Sequence, residues 1–205
     1  MPEPAPLQAI VMGLSTGGLA ALKQVLGALP ASFPVPILIV QHLSPDMEDA
    51  LATLVDTWTP LRVKEADDGE RPQPGSVHLA PANYHLQVER DGRLSLSTDP
   101  PVNYSRPSAD VLFETAASAF GPALAGVVLT GAGYDGSRGL KRIQERGGLT
   151  LVQAPGDAAC AAMPRAALLA VRADYVITLA ELPELMIKLA YADPSARPSV
   201  DDHVE

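Results

Sequence analysis

The stretch from Ala9 to Leu22 reads A-I-V-M-G-L-S-T-G-G-L-A-A-L and decides the fold class. Ala9 to Met12 is a short apolar run, typical of a buried strand. Leucine and valine then recur at helical spacing until Pro30, at positions 22, 25, 26 and 29. We therefore predict a strand, a tight glycine turn and a helix, with Ser15 at the carboxyl end of the strand.

Three interpretations of this turn remain open from the motif alone. The spacing Gly13-x-Ser15-x-Gly17 matches a nucleophile elbow, which lifts a serine hydroxyl above the sheet. Alternatively, the turn from Gly13 to Gly18 cradles a nucleotide or phosphate in a regulatory module without catalytic activity, although Ser15 occupies the second glycine position of G-x-G-x-x-G. In the third interpretation, Ser15 simply caps the following helix.

Two further apolar runs also end in distinctive turns. Ile37 to Val40 is followed by Gln41-His42, and the run from 127 to 130 opens into a glycine-rich loop that contains Asp135. Met47 to Trp58 shows helical periodicity between strands, and this alternation predicts an α/β fold with a parallel sheet. Because parallel strands share one carboxyl edge, Ser15, His42 and Asp135 are expected at the same rim.

The middle of the chain shows a different pattern of residues. The segments 76–80, 84–88 and 94–97 alternate or are rich in β-formers, and Asp91-Gly92 forms a turn between the last two. We predict an antiparallel hairpin region attached to the main sheet, followed by a helix that Ser108 caps. His78 and His85 lie in this region, but no spacing of histidine, cysteine and carboxylates resembles a metal site, so neither metal nor cofactor is expected.

Composition excludes several functional classes. The net charge of −9, without a Lys/Arg cluster, argues against nucleic-acid binding. Cys160 is the only cysteine, so no intrachain disulfide can form, and no segment is apolar over the length needed to cross a bilayer. We expect a cytoplasmic protein with one domain over residues 1–192 and a disordered tail at 193–205.

Serine, histidine and aspartate are the groups that acyl transfer needs. A hydroxyl attacks, an imidazole accepts its proton and later protonates the leaving group, and a carboxylate orients the imidazole. Each also has a structural interpretation, since His42 could be a satisfied side chain and Asp135 a turn former or helix cap. Their joint position at strand ends favours a catalytic site, and the loop from Gly131 to Gly136 lets backbone N–H groups approach an oxyanion.

The chain resembles the catalytic domain of the chemotaxis receptor methylesterase family, known as CheB. The resemblance runs from Ile10 to about Leu189. It rests on the blocks Gly-Leu-Ser-Thr-Gly-Gly, Val-Gln-His, Arg-Pro-Ser-Ala-Asp-Val-Leu-Phe from 106, Leu-Thr-Gly-Ala-Gly-Tyr-Asp-Gly and the segment 153–165. It implies a doubly wound, mostly parallel sheet flanked by helices, with an antiparallel hairpin.

The resemblance also implies a function. Ser15 would be the nucleophile, His42 the base and Asp135 its partner in hydrolysis of glutamate γ-methyl esters on the cytoplasmic helices of chemoreceptors. Methanol would be released, and some members of the family also deamidate glutamine. Candidate substrate or oxyanion residues are Thr16, Gly17, Arg106 and Ala132.

The sequence departs from the family pattern at three places. The family usually has methionine at the position of Ala132, and the proline after the histidine comes one residue late, at Pro45. Most members also carry an N-terminal phosphorylation receiver domain, which the residues before Ile10 do not supply. We expect hydrolysis by this chain to be insensitive to small phosphodonors.

Overall fold

A computed structural model describes residues 6–42 and 51–192. The strands are β1 (Ala9–Leu14), β2 (Ile37–Gln41), β3 (Arg62–Glu65), β4 (Ser76–Leu79), β5 (His85–Val88), β6 (Leu94–Ser97), β7 (Leu124–Val128), β8 (Leu149–Gln153) and β9 (Tyr175–Ile177). The helices are α1 (Gly18–Gly27), α2 (Leu51–Asp56), α3 (Ala109–Phe120), α4 (Ser137–Glu145), α5 (Ala162–Ala170) and α6 (Leu182–Tyr191), and a short 3-10 turn, Gly121–Ala123, precedes β7.

Seven strands form one parallel sheet in the order β3-β4-β2-β1-β7-β8-β9. The strands β2, β3 and β4 all lie on one side of β1, whereas β7, β8 and β9 lie on the other side. The strand order therefore reverses between β1 and β7, where open α/β sheets bind their ligands at the carboxyl ends. The loops that follow these two strands carry Ser15 and Asp135.

The sheet has an apolar core on each face, because successive side chains of a strand point to opposite sides. Ile10 and Met12 of β1 belong to a core with α1 and α6. Ala9 and Val11 belong to a second core with α3, α4 and α5. Helices on both faces of a parallel sheet confirm the predicted doubly wound α/β architecture.

The prediction of an antiparallel hairpin region is wrong for one of its three strands. Ser76–Leu79 is β4, which pairs in parallel with β2 and β3 and is buried at all four positions. The antiparallel hairpin consists of β5 and β6 alone, which form their own two-stranded sheet. It is attached to α3, where the Val88 N–H donates to Thr115 Oγ1 at 3.1 Å. A strand that is buried on both faces has no alternation of apolar and polar residues, so its sequence does not show whether it pairs in parallel or antiparallel.

Some expectations fall partly outside the described residues. The predicted helix from Met47 to Trp58 is described only from 51 onward, as α2. The predicted tail at 193–205 and Pro45 are also outside the described ranges. Over residues 6–42 and 51–192, no helix combines the length and apolarity that crossing a membrane requires.

Candidate active site

Ser15 lies just beyond β1, in the turn at the switch point. Its N–H donates to Thr130 O at 3.0 Å, and its carbonyl accepts the Gly18 N–H at 2.8 Å. Gly17, at φ 82°, is the N-cap of α1, which has no side-chain cap. The interpretation of Ser15 as a helix cap is therefore wrong. Over the described part of the chain, the Ser15 hydroxyl has no hydrogen-bond partner, which leaves it available for chemistry.

His42 follows β2 directly, and its ring is paired with Asp135. The distance from His42 Nε2 to Asp135 Oδ2 is 2.8 Å, and the two side chains are 17% and 4% exposed. This contact occupies Nε2, so Nδ1 is the ring nitrogen left to act as a base. Serine proteases use the two nitrogens in the opposite order, with Nδ1 toward the aspartate.

The carboxylate of Asp135 is saturated with hydrogen bonds. Besides His42, Oδ2 accepts the Ala109 N–H at 2.6 Å, while Oδ1 accepts the Ser108 hydroxyl at 2.7 Å and the Asp110 N–H at 3.2 Å. Asp135 therefore caps α3 from a distant part of the chain. Ser108 stands at the N-cap position as predicted, but its side chain binds Asp135 and makes no cap hydrogen bond. The N-cap of α4 is Gly136, so Asp135 does not cap the helix that follows it.

These contacts keep Asp135 ionised. Burial alone raises the pKa of the carboxyl, but hydrogen bonds from His42, Ser108, Asn103 and the Ala109 N–H outweigh it and lower the pKa to about 2. A carboxylate that is ionised at neutral pH can hold the imidazole and stabilise its cation.

Asn103 joins Asp135 to a second buried carboxyl group, that of Asp110. Its Nδ2 donates to Asp135 Oδ1 at 2.7 Å and to Asp110 Oδ2 at 2.8 Å. Asp110 is 2% exposed, and burial, aided by the charge of Asp135, raises its pKa despite hydrogen bonds from Gly139 and Asn103. The sequence analysis did not predict that Asn103 and Asp110 join the hydrogen-bond network of Asp135, although Asp110 lies in one of the sequence blocks of the family resemblance.

Backbone N–H groups that could hold an oxyanion lie in the turn after Ser15 and in the loop after β7. Within the described ranges the N–H groups of Thr16 and Gly17 have no acceptor, and the same holds for Ala132. The Gly131 N–H is occupied, since it donates to Cys160 O at 3.0 Å. Thr16, Gly17 and Ala132 are all solvent-exposed, so a substrate can reach their backbone.

Arg106 has a structural role in the described contacts. Its Nη1 donates to Thr98 O at 2.8 Å and to Asp99 O at 3.1 Å, which ties the loop before α3 to the end of β6. Its Nε is buried and has no partner in the described part of the protein.

Two cavities adjoin these residues. Arg106 and His42 line a small pocket together with Gln41, Glu65 and Pro107. A more open cleft is lined by Ser15, Thr16, Gly17, Gly18, Leu19, Ala20, Gln41 and His42.

A second row of serine, histidine and carboxylate lies at the β3–β4 edge. His78 Nε2 is 2.9 Å from Ser76 Oγ, and its Nδ1 is 2.9 Å from Glu70 Oε1. Ser76 is only 6% exposed and donates its hydroxyl to Gln73 O, so it cannot serve as a nucleophile. His85 is also buried, near Pro100 O and the Ser108 N–H. Across the described ranges, no group of three or more potential ligands could hold a metal.

Comparisons with known proteins place the chain in a family. The family model described as CheB methylesterase matches residues 10–186. A Leptospira interrogans protein with the provisional name protein-glutamate methylesterase/protein-glutamine glutaminase is 46% identical over 182 residues, which is 89% of this chain and 94% of the relative. The protein-glutamate methylesterase FrzG of Myxococcus xanthus is 43% identical over 181 residues, and the chain spans 54% of its length.

A solved structure shows the same architecture. The crystal structure of the Thermotoga maritima CheB methylesterase catalytic domain superimposes with a TM-score of 0.85 at 34% sequence identity. The match covers 90% of this chain and 100% of that chain. The match to the family model, the sequence identities and the shared fold show that the chain belongs to the CheB methylesterase family.

Proposed function

We propose that this protein is a serine hydrolase that removes methyl groups from glutamate γ-methyl esters on the cytoplasmic helices of chemoreceptors. The observation that carries the proposal is the contact of 2.8 Å between His42 Nε2 and Asp135 Oδ2. It lies at the same sheet edge as the Ser15 hydroxyl, which has no hydrogen-bond partner among residues 6–42 and 51–192. Membership of the CheB methylesterase family supports the same reaction.

In the first half of the reaction, Ser15 Oγ attacks the ester carbonyl while His42 Nδ1 accepts the hydroxyl proton. The Asp135 carboxylate stabilises the imidazolium, and the N–H groups of Thr16, Gly17 or Ala132 hold the oxyanion. His42 then returns the proton to the methoxy oxygen, and methanol leaves a γ-glutamyl ester on Ser15. The Ser15–His42 hydrogen bond forms in the substrate complex, as is common for catalytic contacts that are loose in the free enzyme.

In the second half, His42 takes a proton from water and the hydroxide attacks the γ-glutamyl ester. Ser15 leaves with the proton that His42 returns, and the product is glutamate. The same intermediate forms from a glutamine side chain if His42 protonates the departing amine, which then leaves as ammonia. We include this deamidation in the proposal because relatives are named as both methylesterase and glutaminase.

The alternative of a nucleotide- or phosphate-binding module has less support. It requires the turn from Gly13 to Gly18 to bind an anion, and neither the family model nor the named relatives point to such a module. It also leaves the pairing of His42 with Asp135 without a role.

Methanol release from methylated receptor fragments tests the proposal. Wild type should release methanol, whereas Ser15→Ala should lose at least about 10³-fold in rate because the nucleophile is removed. Its melting temperature should hardly change, since the hydroxyl has no described hydrogen bond to lose. Ser118→Ala is the matched control, because Ser118 is an exposed serine whose hydroxyl donates to Glu114 O within α3. Wild-type turnover in folded Ser15→Ala would refute the proposed mechanism.

A further inference from the structure

Gln41 is the last residue of β2 and lies directly before His42. Its side chain is buried, with 6% exposure, at the point where β1 and β2 separate. The side-chain nitrogen, Nε2, donates to Ser15 O at 3.0 Å and to His42 O at 2.7 Å. One amide group therefore binds the main chain of the proposed nucleophile and that of the proposed base.

The position of this amide matters because the ladder between the strands stops there. Leu14 and Gln41 are the last pair in the β1–β2 register, and the His42 N–H donates to Leu14 O at 3.0 Å. No further pair follows in the register of these two strands. Within the described ranges, the Gln41 amide makes the only hydrogen bonds that tie Ser15 to the His42 segment.

The oxygen of the same amide is unusual. Gln41 Oε1 is buried and has no hydrogen-bond partner among the described residues. A buried acceptor without a partner lowers stability, so stability alone is a poor reason for a glutamine here. The two donor contacts, on the carbonyls that flank the proposed reaction centre, point to a role in geometry.

The start of α1 leaves room for this amide. A Cβ atom built on Gly18 would lie 1.9 Å from Gln41 Oε1, a distance that no non-bonded pair of atoms tolerates. Gly18 has no positive φ, so the backbone itself would accept alanine, which is a better helix former. The absence of a side chain at position 18 is thus explained by the Gln41 amide together with Leu14 Cδ1, which would lie 2.8 Å from the same Cβ atom.

We propose that Gln41 is a positioning residue, whose single amide group sets how Ser15 Oγ approaches His42 Nδ1. This inference rests on the proposed function. In this role Gln41 acts through the two main-chain carbonyls that its amide binds. A misplacement of about 1 Å in a catalytic geometry can lower the rate about 100-fold.

The first test is Gln41→Met, which keeps the length of the side chain and removes both donor contacts. We expect kcat for methanol release to fall about 100-fold with little change in KM. The rate of covalent labelling by a fluorophosphonate, which reports an activated serine without a receptor substrate, should fall in parallel. The melting temperature should change little, because the unpaired oxygen is removed together with the two hydrogen bonds and Ser15 O keeps its bond from Gly18.

Thr150→Val is the matched structural control. Thr150 is fully buried in β8, and its hydroxyl also takes part in two hydrogen bonds, both with Asp174. This variant should lose stability and keep wild-type kcat and labelling. A Gln41→Met protein with wild-type kcat and labelling would overturn the proposal. Wild type that labels but releases no methanol would instead overturn the proposed substrate and leave the labelling comparison as the test of Gln41.

Gly18→Ala provides a second route that keeps every hydrogen-bonding group. The added methyl group must displace the Gln41 amide and shift the Leu14 side chain, so labelling and kcat should fall although helix propensity improves. This variant decides the question if Gln41→Met does not fold. Labelling at the wild-type rate in folded Gly18→Ala would then refute a positioning role for Gln41.

Discussion

Asp135 accepts the backbone N–H of Ala109 at 2.6 Å, and so the carboxylate that binds His42 also caps the N-terminus of α3. The partial positive charge of a helix N-terminus favours an anion at this place. The proposed catalytic aspartate is therefore part of the packing between α3 and the loop after β7, and changes to it should affect both activity and stability.

Asp135→Asn should lower kcat severely, by about 10⁴-fold as in serine proteases, because an amide does not hold the imidazole in the required tautomer. It should also lower the free energy of unfolding by about 2 kcal/mol, since the amide nitrogen cannot accept from the donors that the carboxylate now satisfies. Methanol release and thermal melting measure the two effects. Asp174→Asn is the control: Asp174 accepts from the Thr150 N–H and hydroxyl, so the variant should lose stability alone.

The low pKa of Asp135 predicts a stability change in acid. Its pKa falls from an ordinary 3.8 to about 2 on folding, so the carboxylate stabilises the fold fully above pH about 4. That contribution, about 2 kcal/mol, is lost as pH falls toward 2. The raised pKa of Asp110 acts with the opposite sign, so the measurement compares wild type with Asp135→Asn in chemical denaturation from pH 2 to 5. The stability gap between the two proteins should narrow toward pH 2, and a constant gap would contradict the assignment.

Asn103→Asp should reverse the sign of this pH dependence. Asn103 has φ 53°, which aspartate tolerates as well as asparagine does, so the backbone is unaffected. The new carboxyl group would lie between Asp110 and Asp135, where its pKa must rise because like charges and burial disfavour its ionised form. Stability should fall by about 3 kcal/mol as pH rises from about 4 to 7. Melting temperatures across that range test this, and a variant that is as stable as wild type at pH 7 would show that Asn103 is not needed between the two carboxylates.

Gly17→Ala should damage both the turn and the catalytic rate. Gly17 has φ 82°, and a Cβ there would lie 2.7 Å from Ala159 Cβ. The left-handed backbone alone costs about 1–2 kcal/mol for alanine, and the collision adds to it. Gly69→Ala isolates the backbone cost, because Gly69 has φ 78° and open space around its Cβ position. Gly17→Ala should therefore melt lower than Gly69→Ala and should alone slow fluorophosphonate labelling. Equal melting temperatures and equal labelling rates of the two variants would mean that the collision with Ala159 affects neither stability nor activity.

Much of the site could be predicted from local sequence. Apolar runs before Ser15, His42 and the loop with Asp135 identify buried strands, and parallel strands bring their carboxyl ends to one edge. The geometry of a parallel sheet therefore brings the three residues near one another without any knowledge of the packing between them. The contact between His42 and Asp135 agrees with that expectation.

Other features depend on contacts between distant segments. The local pattern of Ser76–Leu79 does not reveal that it pairs in parallel with β2 and β3, because strand partners are chosen by burial of the whole sheet. The same holds for Asn103, whose amide reaches residues 7 and 32 positions away along the chain. A side-chain amide in a loop has no sequence signature that distinguishes such a bridge from a surface residue.

The sequence by itself determined the succession of strands and helices along the chain, the family and the three residues proposed for catalysis, because apolar periodicity and short motifs are local properties. Only the tertiary structure decided which nitrogen of His42 meets Asp135, that Asp135 caps α3, and that Gln41 ties Ser15 to His42. These features are hydrogen bonds between segments that are far apart in the chain. Their geometry exists only once both faces of the sheet are packed, since packing sets the distances and directions on which hydrogen bonds depend.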